Sequence, residues 1–218
     1  MDKDFWLERW GREEIGFHQC VINAHLCEFW SELNLPPGST VFVPLCGKSQ
    51  DMRWLREQGH NVVGVELSTI AVQAFFKENG FTPRQVSCGK FDRYEADGIC
   101  LLRGDYFDLT RDQMTEVSAV YDRAALIALP PELRARYVRH LVRILPPATQ
   151  ILLITVDYPQ QEMQGPPFSV SNGEVEELYC ERAGMRLRAH QDVLAQNPRF
   201  QQRGLSRLVE NIFFLTLR

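Results

Sequence analysis

Glu66 closes an apolar run about 20 residues after the turn Pro44-Leu45-Cys46-Gly47-Lys48. A carboxylate at the end of the second strand of a βαβ unit is placed to accept hydrogen bonds from two ribose hydroxyls. The turn before it is unusual for such a unit. It lacks the Gly-x-Gly-x-x-Gly spacing that lets backbone N–H groups approach a pyrophosphate. Leu45 and Cys46 put side chains where that approach would occur, and Gly47 alone permits a tight bend. Further on, Asp105-Tyr106 and Asp122-Arg123 each follow an apolar run. An acid there can accept an adenine amino group, and an aromatic edge can flank the ring. Arg123 offers a fixed positive charge for a carboxylate or an electron-rich acceptor atom. Each has a plainer reading: Glu66 as a solvated strand-end charge, Arg123 as a structural partner of Asp122, Lys48 and Asp51 as surface charges opening a helix. The histidines at 18, 25, 60, 140 and 190 show no close metal-ligand spacing, so no metal is expected, and His18 is read as structural.

These residues need strands that end together. Strands are expected over residues 40–46, 61–67, 99–103, 119–122, 150–157, 185–193 and 208–217, and helices over 22–33, 49–58, 69–79, 130–145 and 172–182. Pro36-Pro37-Gly38 breaks the chain before the first strand, Ser68 is a candidate helix cap, and residues 81–98 are ambiguous. Alternation of strands and helices predicts a doubly wound α/β fold of about seven strands, mostly parallel. Only a loop, residues 194–206, separates the last two strands, which predicts an antiparallel hairpin at the sheet edge and an antiparallel C-terminal strand. Ligands of such sheets sit beyond the carboxyl ends of the strands. A turn with a single glycine suits a nucleoside ligand without phosphates, and S-adenosylmethionine is one. Methyltransferases that use it have this sheet, as do other parallel-sheet enzymes with an antiparallel edge. Trp6 and Trp10, at i and i+4 of a short N-terminal helix, form either a lid across the strand ends or a staple to the core.

Bulk composition narrows the partners. The chain has 218 residues, 44% apolar and 24% charged, and reads as one domain over 1–218. Net charge is −4, without the basic excess that a nucleic-acid surface needs. No run approaches the roughly 18 apolar residues of a membrane span, and the start has no secretory pattern. The six cysteines are scattered, with no C-x-x-C pair, which suits a reducing cytoplasm. A monomer is the default expectation.

Five segments, in order, resemble one family: Trp6-Leu7-Glu8-Arg9-Trp10 with Gly16-Phe17-His18-Gln19, then Phe42-Val43-Pro44-Leu45-Cys46-Gly47-Lys48, Gly64-Val65-Glu66-Leu67-Ser68, Tyr121-Asp122-Arg123-Ala124-Ala125-Leu126 and Gly165-Pro166-Pro167-Phe168. The family is that of the thiopurine S-methyltransferases, especially their bacterial branch. The resemblance covers nearly the whole chain and is weakest at 81–98. It implies S-adenosyl-L-methionine as cofactor, with Trp10 over its methionine side, Leu45 and Gly47 beneath, Glu66 on the ribose and Tyr106 beside the adenine. It implies that Arg123 lies near cofactor and acceptor, that Phe17 lines the acceptor pocket, and that Arg199 approaches the acceptor from the loop before the last strand. The implied reaction is in-line transfer of methyl to a thiopurine or related heterocyclic thiol, with Arg123 favouring the ionised acceptor and no triad. Selenium or tellurium compounds are the acceptors associated with bacterial relatives, a detoxification role. Three other readings stand beside this one: a methyltransferase for another small molecule such as a carboxylate or phenol, an NAD-dependent oxidoreductase, and a non-catalytic binding protein.

Overall fold

The structure, a computed structural model, describes residues 3–218 and divides into two units, one up to Val120 and one spanning Tyr121–Arg218. In the first unit, helix α1 (Lys3–Gly11) and α2 (Ala24–Phe29) precede strand β1 (Thr40–Val43). Then come α3 (Asp51–Glu57), β2 (Asn61–Glu66), α4 (Thr69–Glu78), β3 (Arg84–Cys88), β4 (Phe91–Ala96), β5 (Ile99–Arg103) and β6 (Val117–Asp122), whose last residues enter the second unit. Strand order is β3-β4-β5-β2-β1-β6. β5, β2, β1 and β6 are parallel, and β1 and β2 are apolar on both faces, as a covered parallel sheet requires. Gly64 in β2 has no room for a side chain: a Cβ there would lie 2.6 Å from Leu101 Cδ2 and 2.7 Å from Cys46 Sγ. Ser68 caps α4 as expected, its hydroxyl accepting the Ala71 N–H at 3.3 Å.

Residues 81–98, ambiguous in sequence, form the antiparallel hairpin β3–β4, which adds two strands to the seven expected. β3 is exposed at every position, so it carries no apolar alternation to read. The hairpin is held from β4. Phe91 and Tyr94 are buried, Phe76 of α4 stacks on Tyr94 at 6.4 Å, and Asp92 accepts bonds from Ser87 and Arg103.

The second unit contains α5 (Pro131–Ile144), β7 (Gln150–Asp157), α6 (Asn172–Tyr179), β8 (Ala183–Asp192), α7 (Pro198–Gln202) and β9 (Val209–Leu217). Proline is tolerated in the first turn of α5, and Tyr137, Val138, Leu141 and Ile144 give that helix its buried face. β9 lies between β7 and β8 and is antiparallel to both, which is the antiparallel C-terminal strand expected. The connection between β8 and β9 is not only a loop, because α7 occupies five of its residues.

Candidate active site

The turn after β1 is built around Glu66. Leu45 and Gly47 both adopt positive φ, +46° and +54°. Glycine does this freely, whereas leucine in that region is strained. Glu66, at the end of β2 and 7% exposed, fastens the turn: its Oε2 accepts the Gly47 N–H at 2.9 Å and its Oε1 accepts the Ser68 N–H at 2.8 Å. Burial raises the Glu66 carboxyl above the usual carboxylate range, opposed by the N–H groups of Ser68, Gly47 and Leu67. The two carboxylate oxygens together offer about four acceptor positions, more than the backbone N–H groups use. The capacity left over suits a ribose hydroxyl, so Glu66 fits S-adenosylmethionine. Cys46 is buried, and its thiol is held well above the ordinary value by burial and by Glu66. It is a neutral packing residue and not a nucleophile.

α1 reaches this turn. Trp10, 5% exposed, packs on Gly47 so closely that a Cβ there would lie 3.3 Å from Trp10 Cζ2. Half-buried Phe17 meets Trp10 edge-on at 5.7 Å and Trp6 at 5.3 Å. At the other end of α1, Lys3 pairs with Asp105, which follows β5. The helix thus runs from the turn after β1 to the turn after β5, across the carboxyl ends of the parallel strands. Trp10, Phe17, Leu45, Gly47 and Glu66 come together around this turn.

Tyr106 lies just beyond β5 and is buried, with Phe107 edge-on at 5.2 Å. Asp105 carries local duties: Oδ1 accepts the Phe107 N–H at 2.9 Å and Oδ2 faces Lys3. Lys3 was not singled out in the sequence, since nothing in its neighbourhood signals a partner a hundred residues away. The surface reading of Lys48 and Asp51 holds for neither in full. Lys48 Nζ pairs with Glu78 of α4 at 2.6 Å, and Asp51 is 1% exposed, accepting the Asn23 N–H at 2.9 Å.

In the second unit, Arg123 follows β6 directly and is half-buried. Asp122 beside it is buried, and its carboxylate bonds to the Ala125 and Leu126 N–H groups and to Tyr137 Oη. The Gly165-Pro166-Pro167-Phe168 segment is anchored where the Phe168 N–H meets the Ile127 carbonyl at 2.7 Å and Tyr158 Oη meets the Pro167 carbonyl at 2.6 Å. Arg199, exposed on α7, holds its guanidinium over the Phe200 ring at 5.2 Å. Among the described residues no cluster of His, Cys, Asp or Glu could hold a metal ion, and no helix is long and apolar enough to cross a membrane.

Solved structures give the class first. An S-adenosylmethionine-dependent methyltransferase from Anabaena variabilis superposes with TM-score 0.67 at 13% identity, covering 99% of this chain and 94% of that one. A Burkholderia thailandensis 1,6-didemethyltoxoflavin-N1-methyltransferase superposes with TM-score 0.65 at 14% identity, covering 98% and 86%. The fold is that of the S-adenosylmethionine-dependent methyltransferases. The family model described as thiopurine S-methyltransferase matches residues 1–218. A thiopurine S-methyltransferase from Nitrosospira multiformis is 63% identical over 218 residues, 100% of this chain and 99% of its own length. One from Methylococcus capsulatus is 48% identical over 216 residues, 99% of this chain and 97% of its own. The chain belongs to the thiopurine S-methyltransferase family, and its cofactor is S-adenosyl-L-methionine.

Proposed function

We propose that this chain, acting as one methyltransferase domain over 1–218, methylates the sulfur of thiopurines and related heterocyclic thiols. The observation that carries the reading is the Glu66-fastened turn with Trp10 seated on Gly47, a site that presents ribose acceptors and an aromatic wall and offers no phosphate cradle. When bound, S-adenosylmethionine supplies a methyl group on a positively charged sulfur. Glu66 holds the ribose, Leu45 and Gly47 shape the floor, Tyr106 borders the adenine, and Trp10 and Phe17 keep water out. Exclusion of water favours a charged nucleophile meeting a charged sulfonium. Arg123 favours the thiolate form of the acceptor, and Arg199 helps to hold it. Heterocyclic thiols ionise readily, so alignment is most of what the protein must provide.

Selenols and tellurium compounds have the same soft nucleophilic character and are proposed as cellular acceptors. A monomer is supported by arginines on both edge strands, Arg84 on β3 and Arg186 and Arg188 on β8, which discourage edge pairing. A reducing, cytoplasmic setting is supported by six free cysteines.

The test is calorimetry with S-adenosylhomocysteine, with NAD in parallel, followed by turnover of 6-mercaptopurine. Binding of the homocysteine product alone together with S-methylation is expected. Binding of NAD alone sinks the methyltransferase assignment, and efficient oxygen methylation with negligible thiol turnover removes the acceptor class.

A further inference from the structure

We propose that Asp122 and Tyr137 are positioning residues that aim Arg123. The inference rests on the acceptor-side role given to Arg123 above. Asp122 is 1% exposed, and both of its carboxylate oxygens are engaged. Its Oδ1 accepts the Ala125 N–H at 3.2 Å and the Leu126 N–H at 3.3 Å, and its Oδ2 accepts the Tyr137 hydroxyl at 2.6 Å. The first two bonds close a turn whose bracketed residues are Arg123 and Ala124. Asp122, Ala125 and Leu126 are buried, Arg123 is half-buried and Ala124 is exposed. The turn thus pushes two residues outward and holds the chain down on either side.

The third bond fixes the carboxylate itself. Tyr137 is fully buried within α5, a 14-residue helix, so its hydroxyl is set by the helix and not by the turn. Without that donor the carboxylate can rotate about its side-chain torsion, and the two backbone bonds that shape the turn loosen with it. A guanidinium acting on a thiolate depends on where its backbone starts, and small errors of placement are costly in catalysis. Burial pushes the Asp122 carboxyl up, while the Tyr137 hydroxyl and the Leu126 and Ala125 N–H groups favour its ionised form. The hydroxyl donates best to that form.

The experiment is a double-mutant cycle of Tyr137→Phe and Arg123→Lys, with turnover of 6-mercaptopurine and its pH dependence as readouts. Tyr137→Phe removes one hydroxyl and keeps the ring. Alone, it is expected to lower kcat/KM by about 10- to 100-fold, to leave S-adenosylhomocysteine affinity within about twofold, and to move the alkaline-going limb of the pH profile as Arg123→Lys does. In the Arg123→Lys background the same substitution should cost little more. Asp122→Asn, which keeps an acceptor for the two backbone N–H groups, should retain more activity than Asp122→Ala; the reverse order counts against the proposal. An equal loss from Tyr137→Phe in both backgrounds, or none in either, overturns the positioning role while the Arg123 reading stands. Near-native turnover in Arg123→Lys and Arg123→Ala instead removes the Arg123 reading itself, and the positioning role falls with it.

Discussion

Replacing Glu66 by glutamine tests the cofactor side of the site with the least change in shape. The carboxylate presents acceptor oxygens to two backbone donors, Gly47 at 2.9 Å and Ser68 at 2.8 Å. An amide has one oxygen and one NH2 group, so it can serve one donor and must turn its own hydrogens toward the other. A buried donor left unsatisfied costs about 1–3 kcal/mol. In a chain of 218 residues, each kcal/mol lowers the melting temperature by about 2–4 °C, so a fall of roughly 2–12 °C is expected. The same swap reduces the acceptor capacity proposed for the ribose. Loss of that bond, again about 1–3 kcal/mol, weakens S-adenosylhomocysteine binding by roughly 5- to 150-fold. Scanning calorimetry reads the first effect and titration calorimetry the second. A lower melting temperature with an unchanged Kd would mean that Glu66 only fastens the turn and that the ribose binds elsewhere. Neither effect would refute the account of the turn as well.

Gly47→Ala places a Cβ 3.3 Å from Trp10 Cζ2 at a φ of +54°, where an L-residue is strained by about 1–2 kcal/mol, so lower stability, a shifted tryptophan emission and weaker product binding are expected together. Arg123→Ala should lose at least about 10-fold in turnover with the melting temperature held, as for loss of an electrostatic stabiliser; near-native kinetics would exclude the role. The last prediction concerns acid stability. Trp30 Nε1 donates to His60 Nε2 at 3.0 Å, and burial lowers the His60 pKa, opposed by the Ser39 backbone. A depressed folded pKa means that the unfolded chain binds the proton more readily, so the contribution is present above the ordinary value of about 6.5 and is lost as pH falls through the folded pKa. The urea midpoint of the native chain should therefore drop more steeply from pH 7.5 to 5.5 than that of His60→Gln.

The parallel framework was legible because its strands are apolar on both faces and its helices carry a buried stripe. The turn after β1 was legible by contrast, since Leu45 and Cys46 stand where glycines would otherwise be needed. The hairpin β3–β4 was not, because β3 buries none of its residues and its stability comes from Phe91, Tyr94 and the Asp92 clasp on neighbouring strands. α7 was missed because five mostly exposed residues show no period. Asp51 reads as a helix-start charge, yet its carboxylate serves a backbone N–H 28 residues upstream, a contact that local pattern cannot encode. Asp105 is similar: its pairing with Lys3 depends on where α1 comes to rest.

The occupied N–H of Gly47 has a bearing on selectivity in a cell crowded with phosphorylated nucleotides. Where a dinucleotide-binding turn presents bare donors to an anion, this one has already turned its donor inward to a carboxylate. A phosphate arriving there would meet negative charge and find the Gly47 N–H already taken. Weak affinity for NAD and ATP is then expected, for an electrostatic reason that precedes any question of shape. Inserting glycines alone is likewise not expected to convert the site: a phosphate-binding turn would require Glu66 to let go of Gly47, and with it the bond that holds the turn closed.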